Sequence, residues 1–221
     1  MRLLVEGLFI KISGVTTEED ALFSIGLGAS AVGFEFAPGP RQMTTPVVHD
    51  IVRRLPSSAI SVGVFRHETP ERVVDVANRI GLSAVQIDGA MPLEQVAWVA
   101  ERVNTVLRSV GPEGADESGL ARVGVDYLVL PDLDEESALV ESLPALARPT
   151  PPLPMVASGG LSVENVAAVV ADYPVWGVDV RAGVESEPGV KDPGRLGAFI
   201  AAARWAYENA VVDRVSDWLA P

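Results

Sequence analysis

The stretch AISVGVFRHETPERVVDVANRIGLSAVQID, residues 59–88, decides the fold. Its first seven residues, AISVGVF, are rich in β-branched and aromatic side chains and have no helical period, so they read as a strand. Thr69 and Pro70 then supply a helix start: a hydroxyl that caps free backbone amides, and a ring whose fixed φ suits the first turn. The string TPERVVDVANRIG (69–81) then reads as an amphipathic helical stretch. SAVQID (83–88) returns to the strand pattern. A strand, a helix and a second strand so close together imply parallel strands joined by a right-handed crossover.

The same alternation runs along the whole chain. Strand-like runs occur at GLFIKIS (7–13), SAVGFEF (30–36), AISVGVF (59–65), SAVQID (83–88), VNTVLRS (103–109), VDYLVL (125–130), LPMVAS (153–158) and WGVDVR (176–181). Helical patterns lie between them, including DEESALVESLPAL (134–146), a weak one near 115–122 and a long last stretch from Asp192 onward. Thr17 and Ser162 are further expected N-caps, and Pro92 a further first helical residue. Eight such units predict a single (β/α)8 barrel spanning 1–221. A doubly wound open sheet is the alternative, but it calls for a glycine-rich loop after the first strand, and KISGVTTEED has one glycine there. The Pro-rich ARPTPPLP (147–154) is too short for a linker and reads as the loop into the seventh strand.

A formal net charge of −13 and a pI near 4.5 argue against nucleic acid or an anionic membrane as partner, because the long-range field repels phosphate polymers. The chain has no cysteine, which rules out disulfides and thiolate chemistry, and its two histidines, His49 and His67, are scattered. The N-terminus lacks a signal-peptide pattern and no apolar run is long enough to span a bilayer, so the expectation is a soluble cytoplasmic protein.

In a barrel of this kind the chemistry sits where the strands end. That rule selects Lys11, Ser13, Arg41, Gln86, Asp88, Gly159, Gly160, Asp179 and Gly183. Asp179, an aspartate among valines, is a candidate general acid or else one half of a structural ion pair with Lys11 or an arginine. The loops ASGGLSVEN (157–165) and VRAGVES (180–186) carry glycines that let backbone amides approach a phosphate, or that serve tight turns alone. Arg41 suits a substrate carboxylate or phosphate, or is a solvated arginine. Lys11, on Ser13's face of the first strand, reads as an interior cation balancing Asp179 or Glu35. Ser13 has no histidine placed to activate it as a nucleophile.

Five blocks, FIKISGVTTEEDA, GASAVGFEFAPGPRQMT, VGVFRHETPERVVDVANRIGLSAVQIDG, ASGGLSVENV and WGVDVRAGVESEPGVKDPGRLGAFI, resemble in order and spacing the phosphoribosylanthranilate isomerases. The resemblance covers residue 9 to about 204. It implies a small barrel without metal or organic cofactor that performs an Amadori rearrangement on a small-molecule phosphorylated sugar–anthranilate, as a monomer or homodimer. It also implies that Asp179 is the general acid, that Arg41 holds the anthranilate carboxylate and that Gly159, Gly160 and Gly183 hold the phosphate; Gln86 and Asp88, selected by their place at the end of the fourth strand, are expected to contact substrate. The family's general base is a cysteine at the position of Ser13.

The departures cluster at the site. A free thiol has a pKa of about 8.5 and yields some thiolate at neutral pH, whereas an alkyl hydroxyl without a base beside it yields almost none. Asp88 stands where the family commonly has histidine, Ala182 where it often has serine, and LPDLDEESALVES replaces a glycine-rich loop with a following lysine. Two readings follow: an isomerase of the same reaction whose proton abstraction is weakened or moved, for example to Asp88, or a diverged relative with another phosphosugar-like ligand, which includes binding without turnover. A third, an assembly role, rests on Trp205, Tyr207 and Trp218 of the last helical stretch.

Overall fold

In the computed structural model of the protein, eight parallel strands close into a barrel in sequence order, which excludes the open sheet. The structure describes residues 3, 5, 7–88, 91–110, 117–129 and 153–219, with residues 117–118 and 211–219 described by their backbone alone. The expected helix at 134–146, most of the ARPTPPLP loop and the side chain of Trp218 lie outside the described residues. The strands are β1 (Phe9–Ile12), β2 (Ala31–Glu35), β3 (Ile60–Phe65), β4 (Ala84–Ile87), β5 (Val106–Ser109), β6 (Tyr127–Val129), β7 (Met155–Ala157) and β8 (Gly177–Val180). Closure is made by β8 against β1, with Phe9 opposite Gly177 and Lys11 opposite Asp179. A short antiparallel hairpin, β9 (Glu185–Glu187) and β10 (Val190–Lys191), follows β8.

The described helices are α1 (Glu18–Gly26), α2 (Thr45–Val52), α3 (Pro70–Ile80), α4 (Leu93–Ala100), α5 (Glu117–Arg122), α6 (Val166–Asp172) and α7 (Pro193–Leu219). Thr17 and Thr69 cap α1 and α3 as their sequence predicts, accepting from the amides of Asp20 and Arg72 at 3.1 and 3.4 Å. Gly81 ends α3 with φ of 75°, a left-handed conformation that costs an L side chain energy. Two expected starts shift. Pro92 is the residue before α4, and α6 begins at Val166 after Asn165; Ser162 opens the preceding turn, its Oγ accepting from the Glu164 amide at 3.2 Å, while Asn165 Oδ1 accepts from the Ser162 amide and Asn165 Nδ2 donates to the Gly160 carbonyl, both at 2.8 Å.

The two-residue period of each strand divides the core. Outward-facing residues such as Ile10, Ile12, Val32, Phe34, Val85, Ile87, Leu128, Val178 and Val180 pack under the helices. Inward-facing Phe9, Ala31, Ile60, Val62, Ala84, Leu107, Tyr127, Val129 and Val156 fill the lower barrel. Each large aliphatic side chain buried this way contributes roughly 1.5–3 kcal/mol. Trp176 plugs the lower end, its ring stacked 4.6 Å from Phe9 and 4.3 Å from Tyr127. Gly177 makes room for the plug, since a Cβ there would lie 2.6 Å from the Phe9 carbonyl oxygen. On α7, Trp205 is 65% exposed whereas Tyr207 packs against the barrel's outer core. Among the described residues no helix is long and apolar enough to cross a membrane.

Candidate active site

One step above Phe9 on the inner face of β1 is Lys11, and one step above that is Ser13. Lys11 is fully buried, and a buried ammonium is tolerated only where its donors are satisfied. Its Nζ donates three hydrogen bonds: to Ser13 Oγ at 2.6 Å, to Gln86 Oε1 at 2.8 Å and to Asp179 Oδ2 at 2.7 Å. Ser13 Oγ in turn donates to Asp179 Oδ1 at 2.7 Å. The strand register makes this possible, since Lys11 and Asp179 are direct partners across β1 and β8. Gly33 on β2 also makes it possible: a Cβ there would lie 2.9 Å from Ser13 Oγ and 3.2 Å from Lys11 Cε. Of the two counter-charges expected for Lys11, the structure selects Asp179; Glu35 pairs instead with Arg181 at 3.3 Å.

Both oxygens of Asp179 accept hydrogen bonds, one from an ammonium and one from a hydroxyl. Each oxygen of Asp179 is thus engaged by a buried donor, an arrangement that suits the carboxylate form of the group.

Gln86 carries the network across the barrel mouth. Its Nε2 donates to Asp88 Oδ1 at 3.0 Å, and Ser109 Oγ donates to the same oxygen. Asp88 Oδ2 faces Arg66 at 3.7 Å, beyond hydrogen-bonding distance. Here the ends of β3 and β4 open into a cavity of about 490 Å³ lined by Phe65, Ile87 and Met91 together with Arg66, His67 and Asp88.

On the opposite side, Arg41 lies across Gly14, where φ is 67° and a Cβ would meet Arg41 Cδ at 2.6 Å. Its guanidinium is held by Glu185, from Nε at 3.0 and 3.1 Å and from Nη2 at 2.6 Å. Nη1 makes no hydrogen bond among the described residues. Glu185 and Lys191, both buried on the β9–β10 hairpin, are functional candidates that sequence reasoning missed; their only signal was that each directly follows a valine in GVESEPGVKDP, a string with four charged residues. Lys191 Nζ donates to Glu185 Oε1 at 2.9 Å, to the Arg181 carbonyl at 3.2 Å and to the Ser13 carbonyl at 2.6 Å, so the hairpin is tied directly to the end of β1. Burial pushes the Glu185 carboxyl up, but hydrogen bonds from Arg41 and Lys191 outweigh it and hold the group below its ordinary value. The Glu185 hydrogen bond raises Arg41, whereas burial pulls Lys191 down against the opposing pull of Glu185.

The two glycine-bearing loops touch. Gly159 and Gly160 have φ of 86° and 65°, and Ser162 bridges to Gly183 across the loops after β7 and β8. A Cβ on Gly183 would lie 2.0 Å from the Leu161 carbonyl oxygen, so backbone packing by itself demands glycine there.

A buried polar centre, an arginine beside it and two glycine loops thus share the C-terminal rim of one small barrel. The family described as N-(5'phosphoribosyl)anthranilate (PRA) isomerase matches residues 10–202, nearly the whole barrel. The chain belongs to this isomerase family. The N-(5'-phosphoribosyl)anthranilate isomerase of Thermotoga maritima is 36% identical over 203 residues, covering 88% of this chain and 98% of the relative. That of Desulforudis audaxviator is 35% identical over 210 residues, covering 89% and 98%. Among solved structures, TrpF from Jonesia denitrificans superposes with a TM-score of 0.80 at 29% identity, covering 90% of this chain and 98% of that one. A phosphoribosyl anthranilate isomerase in complex with reduced 1-(o-carboxyphenylamino)-1-deoxyribulose 5-phosphate superposes with a TM-score of 0.74 at 36% identity, covering 90% and 99%. Family membership and the barrel agree with the resemblance read from the five sequence blocks.

Proposed function

We propose that the protein is an intramolecular isomerase that converts N-(5'-phosphoribosyl)anthranilate to the corresponding 1-(carboxyphenylamino)-1-deoxyribulose phosphate, a cytoplasmic step of tryptophan biosynthesis carried out without cofactor by a monomer or homodimer. The observation that carries this reading is the Lys11–Ser13–Asp179 cluster at the joined ends of β1 and β8, beside the two glycine loops, in a chain of this family.

The sugar phosphate sits on the backbone of Gly159, Gly160 and Gly183: the first two are left-handed, the third packs against the Leu161 carbonyl, and all three lack a side chain that would keep an anion from the amides. Arg41, oriented by Glu185, offers Nη1 to the anthranilate carboxylate. Gln86 and Asp88 line the mouth between these ends. Protonation of the ribose ring oxygen opens the ring to an imine cation at C1, with the proton coming from solvent or a rim group other than Asp179. Loss of the C2 proton then gives the enol-amine, and this step belongs to Ser13 and Asp179.

The test is turnover of N-(5'-phosphoribosyl)anthranilate together with binding of the reduced product analogue. Slow turnover is expected, and Ser13→Cys raises kcat by about two orders of magnitude or more, the scale of a general-base contribution. A folded Ser13→Cys variant without activity would remove most of the support for this reaction.

A second reading, a relative with a different phosphosugar ligand, is favoured by one observation: Asp88, Glu68 and Glu71 make the β3–β4 side of the mouth acidic, a poor surface for an anionic aryl group. Binding of the reduced analogue without turnover by wild type or Ser13→Cys would favour it.

A further inference from the structure

Resting on that reading, we infer that Ser13 and Asp179 form a proton relay that takes the place of a thiolate base: Ser13 Oγ receives the C2 proton while its own proton passes to Asp179 Oδ1. The geometry for this transfer is already present. Ser13 donates to Asp179 at 2.7 Å, and the donation is singly directed, because a hydroxyl has one proton to give. Of the two lone pairs on Oγ, one accepts from Lys11 at 2.6 Å, which leaves the other for the substrate carbon.

The balance of the step is complete. The C2–H bond breaks and its electron pair becomes the C1–C2 double bond, which neutralises the imine cation as the enol-amine. The proton joins Ser13 Oγ, the Oγ–H bond breaks, and the departing proton joins the carboxylate. No free alkoxide forms at any point. The proton's final seat is the Asp179 carboxylate, reached through the Ser13 hydroxyl that donates to it. Ser13 is therefore the catalytic residue, and Asp179 acts through it.

Lys11 keeps the relay aligned in both states. Its three donors are spread over Ser13, Gln86 and Asp179, so when Asp179 becomes neutral the ammonium still has two fixed acceptors and does not have to move. Gln86 cannot turn away, because its own amide is committed to Asp88 at 3.0 Å. Lys191 pins the other side of Ser13 by donating to its carbonyl at 2.6 Å. The serine is held above and below, as a relay with no slack requires.

A double-mutant cycle on the intact protein separates a relay from a structural ion pair. The variants are Asp179→Asn, Ser13→Cys and their combination, with kcat and the kinetic isotope effect measured on N-(5'-phosphoribosyl)anthranilate deuterated at C2. A thiol ionises on its own account and does not need to hand its proton to Asp179. The relay therefore predicts that Asp179→Asn lowers kcat about 100-fold or more in the serine enzyme but less than about tenfold in the Ser13→Cys enzyme, with a primary isotope effect in each. Equal losses in the two backgrounds would overturn the relay and make Asp179 only the partner of Lys11.

Ser13→Ala tests the same idea with the Lys11–Asp179 pair intact, so it does not depend on Asp179→Asn folding. It should lower kcat about 100-fold or more with little change in KM, and an unchanged kcat overturns the relay. A wild-type enzyme that is inert while Ser13→Cys turns over would overturn the relay and leave the isomerase reading standing. If wild type and Ser13→Cys both bind the reduced product analogue and neither turns over, both fall.

Discussion

The lower and upper halves of the barrel interior come from the same strands two residues apart, and they solve opposite problems. On β1 the inner face runs Phe9, Lys11, Ser13; on β4 it runs Ala84, Gln86, Asp88; on β8 it runs Gly177, Asp179, Arg181. The lower members pack with Leu107, Tyr127 and Val156 into a dry layer closed by Trp176. The upper members form a buried hydrogen-bonded network in which the Lys11 ammonium and the Asp179 carboxylate meet at 2.7 Å. Dispersion and water exclusion hold the lower layer, and small misfits there are spread over many contacts. The upper layer depends on a few bonds, each of which leaves an uncompensated charge or donor when broken. The lower half thus supplies stability in many small parts, whereas the upper half places stability and chemistry on the same few atoms.

The sharpest way to break that contrast is Lys11→Met. It fills the space with an apolar side chain but strands Asp179 without its cation, and should cost about 3–5 kcal/mol, read as a fall in the urea midpoint. A cost below about 1 kcal/mol would mean that the upper layer is no more brittle than the lower.

Trp176→Ala comes next. Loss of both ring stacks should cost about 3 kcal/mol, while kcat per folded molecule stays at the wild-type value because no bond of the Lys11 network passes through the plug. A fall in kcat as large as the fall in stability would show that the two halves are coupled.

The smallest effect belongs to Glu185→Gln on the hairpin above the network, at about 2 kcal/mol near neutral pH. Its sign with pH is fixed by the direction of the shift. The folded-state carboxyl lies below its ordinary value of 4.5, so its stabilisation is present above that value and is lost as pH falls through the folded one. Lys191 remains an ammonium throughout that acid range and adds no opposing slope. Thermal midpoints measured from pH 6 to pH 3 should therefore converge for wild type and Glu185→Gln; a gap that persists at the acid end would assign the loss to packing.

The barrel was legible in the chain because its evidence is local and repeated. Period-two runs, three- and four-residue helical spacing, Thr17, Thr69 and Gly81 each report on a few neighbouring residues, and all agree. Where a cue lay just ahead of a helix it misled by a few residues: Ser162 opens the turn before α6, and the helix itself starts at Val166 after Asn165. The rim positions of Ser13, Arg41, Gln86, Asp88 and Asp179 were also legible, since strand ends select them. Glu185 and Lys191 were not, because they follow the last strand on a hairpin whose burial depends on packing against β1 and the loop that carries Arg41.

By itself, then, the sequence determined which strand residues face inward, how many strands close the barrel and which side chains stand at their ends, because alternation and chain order are properties of neighbours along the backbone. What Asp179 touches was decided only by the tertiary structure. Asp179 reads in the chain as an acid among valines, and it becomes an acceptor only because closure of β8 on β1 brings it within 2.7 Å of an ammonium and a hydroxyl that lie more than 160 residues away in the chain.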